Sequence, residues 1–280
     1  MGSNALADLA ALKYDLALAN RMVAHEGVLD AFGHISIRHP EKPDRYFLSC
    51  SRSPELVTPA DIYEFDLESQ PVSVPADVKL YGERVIHGCI YQARRDVHAV
   101  VHHHSGSMLP FCFTDRKLVA VYHLGASMGV EVPVWDMRDD FGETNLIVKT
   151  PEEGRSLATA LGPNWIVLMR RHGVTVAGRT LPEVVFRSIW AARNAEYLLR
   201  GSEIGNVTPL SRSEIEQAEA YNLAPGPLGR SFEYWTRRLE KAGELPPKGK
   251  PRAEARSVKK PATRAGVKTL ARAKRKSSRR

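Results

Sequence analysis

Val100-Val101-His102-His103-His104-Ser105 is the stretch on which the reading of this chain turns. With His98-Ala99 before it, the run reads as the end of a buried strand, because β-branched residues suit a pleated, covered surface. Successive strand residues point to opposite faces, so His102 and His104 share one face and His103 takes the other. Two imidazoles side by side at a strand end make half of a metal site. The same pattern also describes a polar strand end with three solvated histidines. The flanking chain separates the two readings.

Upstream, residues 80–94 read as a helix with Ile86, Cys89, Ile90 and Ala93 inward and Glu83 and His87 on one face. Before that, residues 5–26 carry Leu9, Leu12, Leu16, Ala19 and Val23 at helical spacing. Gly33 then turns the chain into a strand at His34-Ile35-Ser36-Ile37-Arg38, whose hairpin partner is Tyr46-Phe47-Leu48-Ser49. Cys50 to Pro54 form a polar loop, Thr58-Pro59 starts a capped turn, and residues 62–66 form a short strand.

Downstream, residues 108–113 predict a short helix and residues 119–122 and 130–134 two strands. Thr150, Pro151 and Gly162 bracket a helix over 151–161. The apolar run Trp165-Ile166-Val167-Leu168-Met169-Arg170 predicts a central strand, Val174 to Gly178 its return, and Arg171-His172-Gly173 the junction, which places His172 at a strand terminus. Helices follow over 181–200, 211–221 and 231–242, the last carrying Phe232, Tyr234 and Trp235. The whole is one α/β domain over residues 1–245.

Charge is distributed unevenly. From Lys248 to Arg280 there are 14 Lys/Arg and one acid, Glu254, a net of +13. Against +8 for the whole chain, residues 1–247 carry −5. A mildly acidic body argues against a nucleic-acid enzyme and confines any contact with nucleic acid or other polyanions to the tail. Residues 246–280 have too little apolar surface to offset the entropy of ordering and are expected to be disordered. Cys50, Cys89 and Cys112 are few and without CxxC spacing, which fits a reducing cytoplasm. No run approaches the ~20 apolar residues of a membrane span. The N-terminus also lacks the basic segment and apolar core of a signal peptide.

An HxH at a strand end, a third histidine in a His-Gly turn and a Glu upstream form a stronger signal than HxH alone. Three neutral imidazoles on a divalent ion (Zn, Mn, Fe or Co) leave coordination positions open for chemistry, and Glu83 can serve as acid/base or as a fourth ligand. The run from Glu83 through His87, Ile90-Tyr91-Gln92-Ala93-Arg94-Arg95-Asp96-Val97 and the histidine strand resembles the core of the class II aldolase/adducin family. Gly33 to Arg38 and Leu168 to Gly173 resemble it too, and the match extends from about Leu6 to Arg200. The resemblance implies a three-layer α/β/α sandwich around a mainly antiparallel sheet. It implies one divalent metal per subunit on His102, His104 and His172, Glu83 as catalytic acid/base, and a homotetramer. Adducin-like members without the metal histidines are structural proteins, so retention of these residues points to an enzyme.

The sugar-phosphate aldolases of the family bind phosphate through Gly-Asn, Ser-Gly or Thr-Gly, and Ser-Ser motifs. Here the corresponding places read Gly33-His34, Ser49-Cys50-Ser51-Arg52-Ser53 and Tyr81-Gly82. The pattern resembles a branch of the family that decarboxylates aromatic hydroxy-dicarboxylates of the phthalate or pyridine type, a place in aromatic compound degradation. On that reading Arg52 and His34 hold a carboxylate, Ser51 lines the same loop, Tyr81 flanks a flat ring, and Arg84 and Tyr234 are further candidate substrate contacts. The metal chelates the ring hydroxyl and a carboxylate, and Glu83 returns a proton to carbon. Two alternatives use the same residues: a lyase of a non-phosphorylated sugar acid or hydroxy-ketone, and a non-enzymatic adducin-like binding module.

Overall fold

The computed structural model describes residues 3–248, with side chains from residue 8. Seven strands form one sheet in the order β3-β2-β1-β4-β7-β6-β5. They are β1 (His34–Arg38), β2 (Arg45–Ser49), β3 (Ile62–Asp66), β4 (Ala99–His103), β5 (Val134–Trp135), β6 (Ile166–Met169) and β7 (Gly173–Gly178). Every pairing is antiparallel except β5 with β6. The helices are α1 (Ser3–His25), α2 (Arg84–Ala93), α3 (Leu109–Phe113), α4 (Met137–Phe141), α5 (Pro151–Leu161), α6 (Leu181–Ile204), α7 (Arg212–Asn222) and α8 (Pro225–Ala242). The packing of α1 and α6 on β1, β4 and β7, with α8 behind them, makes one helical layer. The pair α2 and α5 makes the other. This is the expected α/β/α sandwich.

The centre of the sheet is dry. Ala99, Val100 and Val101 of β4, all of β6, and Val174, Val176 and Ala177 of β7 are buried. Two-sided burial explains why these strands read as continuous apolar runs rather than alternating ones. The strand register aligns three polar side chains: His34 pairs with His102, and His102 pairs with Thr175. Paired residues on neighbouring strands face the same way, so these side chains form a row across β1, β4 and β7.

Several expected elements differ. Helix α2 begins at Arg84, with Glu83 at the N-cap, rather than at residue 80. Residues 119–122 form no strand. Their backbone is bonded instead by buried Asn194 of α6, which donates to the Val119 carbonyl and accepts from the Val121 amide. The strand expected over 130–134 shrinks to β5. Helix α8 starts at Pro225, six residues before the expected position, because Pro tolerates the first helical turn. Of the expected tail only residues 246–248 are described, and Pro246 is buried; the rest lies outside the described residues.

Gly33 is held at φ +91°, and a Cβ there would lie 2.4 Å from Leu29 Cδ2 and 2.7 Å from the His102 carbonyl oxygen. Only glycine satisfies both constraints. Gly33→Ala is therefore expected to cost about 1–3 kcal/mol, read as a lower urea midpoint at unchanged slope. An unchanged midpoint would contradict the packing described.

Candidate metal centre and active site

The site is built at the strand ends on the α2 face of the sheet. His102 is on β4 and His104 lies one residue past its end. His172 lies one residue before β7, in the tight turn after β6. Arg171 sits in the left-handed region at φ 61°, where its guanidinium grips both Asp136 oxygens at 2.6 and 2.7 Å. That ion pair stabilises a conformation otherwise unfavourable for a non-glycine residue and so fixes the adjacent His172. Gly173 lets the turn close: a Cβ there would meet the His103 carbonyl at 2.6 Å and the His104 ring at 2.7 Å.

His102, His104 and His172 converge with Glu83, and one ligand atom from each lies within 4.8 Å of the others. His102 Nε2 and His104 Nε2 are 3.1 Å apart. Glu83 oxygens lie 3.6 Å from His102 Nε2 and 3.5 Å from His172 Nε2. Burial drives all three imidazoles toward the neutral form. His102 is held well below its ordinary value by burial and then by His172 and His34, His104 is lowered by burial, and His172 falls to about 4. Neutral imidazoles offer lone pairs, and two ring nitrogens 3.1 Å apart can share one proton or ligate one cation. The donor set fits a divalent ion. His102 Nδ1 lies 3.4 Å from Thr175 Oγ1, the kind of outer contact that orients a metal-binding imidazole. His103 is fully buried on the other face, with Nδ1 accepting from the Ser105 amide.

The Glu83 side chain makes no capping bond to its own helix. Its Oε1 accepts from the Val148 amide at 3.3 Å. Burial raises its carboxyl to about 7, opposed by that amide and by Lys149. A carboxyl near 7 is protonated part of the time at neutral pH, as a general acid requires.

Around the cluster the expected substrate contacts divide. His34 is buried, its ring 5.3 Å from that of His102 and 4.5 Å from that of Tyr81. The Tyr81 hydroxyl donates to the Arg52 carbonyl and accepts from the Arg52 amide, which ties the Arg52 loop to this wall. Arg52 Nε donates to the Leu56 carbonyl at 2.7 Å and lies 3.4 Å from Asp61. Ser51 is exposed in the same loop, with its amide bonded to the Lys79 carbonyl.

The other two expected contacts are placed as follows. The Arg84 guanidinium donates to the carbonyls of Ser69 and Tyr81 at 2.8 Å each, which fixes the approach to α2. Tyr234 stands 56% exposed on α8, with Arg238 over its ring, and is not brought to the cluster.

Three residues that the sequence did not single out for the site also belong beside it: His87, Ser36 and Tyr91. His87, read on the face of Glu83, is fully buried, with Nε2 2.6 Å from His34 Nδ1 and Nδ1 2.6 Å from Ser36 Oγ. Ser36 Oγ is in turn 2.7 Å from the Tyr91 hydroxyl. One local signal existed: His34 and Ser36 are two apart on a strand and so share a face.

Comparison with known proteins places the chain in a family. The chain is 32% identical over 238 residues to "Decarboxylase tropJ" of Talaromyces stipitatus, covering 77% of this chain and 89% of that one. It is 27% identical over 191 residues to a 3,4-dihydroxyphthalate decarboxylase of Arthrobacter keyseri, covering 62% and 72%. The fold is shared with an L-fuculose 1-phosphate aldolase from Glaciozyma antarctica at a TM-score of 0.72 and 18% identity, over 88% of this chain and 96% of that one. Residues 14–199 match the family described as Class II Aldolase and Adducin N-terminal domain, and the chain belongs to that family.

Proposed function

We propose that the chain is a divalent-metal-dependent carboxy-lyase acting on an aromatic hydroxy-dicarboxylate. The observation that carries the reading is the convergence of three neutral imidazoles on a carboxyl raised to about 7. Relatives named as decarboxylases support a lyase, and the dihydroxyphthalate enzyme supports this substrate class. A divalent ion held by His102, His104 and His172 supplies Lewis-acid stabilisation where negative charge develops on a substrate oxygen.

The chain's own residues do the rest. The Glu83 carboxyl gives its proton to the ring carbon that bears the departing carboxylate as the neighbouring hydroxyl oxygen feeds electrons into the ring. The bond to that carboxylate then breaks, CO₂ leaves, its electron pair restores the aromatic ring and returns charge to the oxygen, and Glu83 is reprotonated from water. His34 and Arg52 hold the carboxylate that remains, with Tyr81 along the ring edge. Each preorganised donor of this kind is worth ~3–4 kcal/mol at the transition state. The sugar-phosphate reading is disfavoured because an imidazole, a guanidinium and a phenol occupy the places of the phosphate-binding motifs. The exposed Phe32, Phe113 and Ile204 are consistent with assembly into the homotetramer that the family resemblance implies.

Four outcomes test this reading. A panel of hydroxyphthalates and hydroxypyridine dicarboxylates should yield CO₂ with the metal-loaded protein. Chelation or His102→Ala should abolish both bound metal, measured by elemental analysis, and CO₂ release; full activity without metal would sink the proposal. Glu83→Gln should keep the metal but lower kcat by about 10²–10⁴-fold. Because the donor must be protonated, kcat/KM should fall as pH rises through the Glu83 ionisation, and a rise there would assign Glu83 to another role.

A further inference from the structure

Four buried side chains form one hydrogen-bonded line that ends at the site: Tyr91, Ser36, His87 and His34. Their exposures are 1%, 0%, 0% and 2%. The line joins α2 to β1, and His34 lies at its end beside His102. Its direction follows from counting protons. Tyr91 is a buried neutral phenol with one proton, and Ser36 Oγ is its hydrogen-bond partner. A buried phenol proton without an acceptor is costly, so Tyr91 donates to Ser36.

The single Ser36 proton must then go to His87 Nδ1. Burial keeps His87 uncharged, at about 3, so its only ring proton is on Nε2 and is donated to His34 Nδ1. His34 accepts that proton at Nδ1, which leaves the proton of its own ring on Nε2. The reversed line would strand the Tyr91 proton with no acceptor.

We propose that Ser36, His87 and Tyr91 are positioning residues that lock His34 as an Nε2–H donor, so that the site selects a substrate presenting a hydrogen-bond acceptor, a carboxylate oxygen, at this point. The substrate part of the inference rests on the decarboxylase reading above; the locked tautomer does not. A lone buried histidine could present either nitrogen state. Here three further side chains, all buried, remove the choice.

The test uses the full-length, zinc-loaded protein labelled with ¹⁵N-histidine, with His34 assigned from the signal lost in His34→Gln. Wild type should show His34 with a pyrrole-type Nε2 and a pyridine-type Nδ1. Ser36→Ala cuts the line and should give a mixture of tautomers, with KM for the dicarboxylate raised about 10-fold and kcat little changed. Ser36→Thr should restore both. Tyr91→Phe removes one oxygen without changing the packing volume and should act in the same direction, which keeps the test available if Ser36→Ala does not fold. A wild-type His34 protonated on Nδ1, or variants that leave both the tautomer and KM unchanged, would overturn the proposal. If the tautomer is as stated but no aromatic dicarboxylate turns over, the proposed function fails and the lock stands.

Discussion

Burial of imidazoles in the neutral state is the constraint on which this structure depends. His102 is completely buried at the centre of the sheet, and His104 and His172 close on it from the two adjoining strand ends. In water these rings would protonate readily near pH ~6. Under the α2 layer they are held neutral, and their lone pairs meet in one small volume. The same dry setting raises Glu83 and keeps His34 and His87 uncharged. One physical condition thus sets the charge state of a candidate cation site, of the proposed proton donor and of the proposed hydrogen-bond donor together.

The sheet supplies the geometry. The β1–β4–β7 register places His34, His102 and Thr175 in one row. The turn at Arg171 and the close packing at Gly173 bring His172 to the end of that row. Rigid elements therefore hold the cluster, while the loop carrying Ser51 and Arg52 and the residues around Tyr81 vary what it faces. A family that includes aldolases can in this way share a frame while differing in the pocket.

Much of this was legible in the sequence where the rule is local. The alternation of His102 and His104 follows from strand geometry, and the His172 turn follows from an apolar run broken by Arg-His-Gly. The caps at Thr150 and Ser211 and the hairpin of β1 with β2 follow from short-range chemistry. What escaped was set by tertiary contacts. Residues 80–83 stay out of helix α2, with the Tyr81 ring against His34 and its hydroxyl on the Arg52 backbone. His34 and His87 are 53 residues apart, and no local pattern joins them. The bonds of Arg84 to the Ser69 and Tyr81 carbonyls escape the sequence for the same reason.

The most direct measurement is X-ray absorption at the edge of the metal carried by the purified full-length protein. The expected first shell contains three imidazole nitrogens, from His102, His104 and His172, and is reduced to two in His172→Ala. A shell with fewer than three imidazoles in the wild type, or one unchanged by that substitution, would contradict the site described.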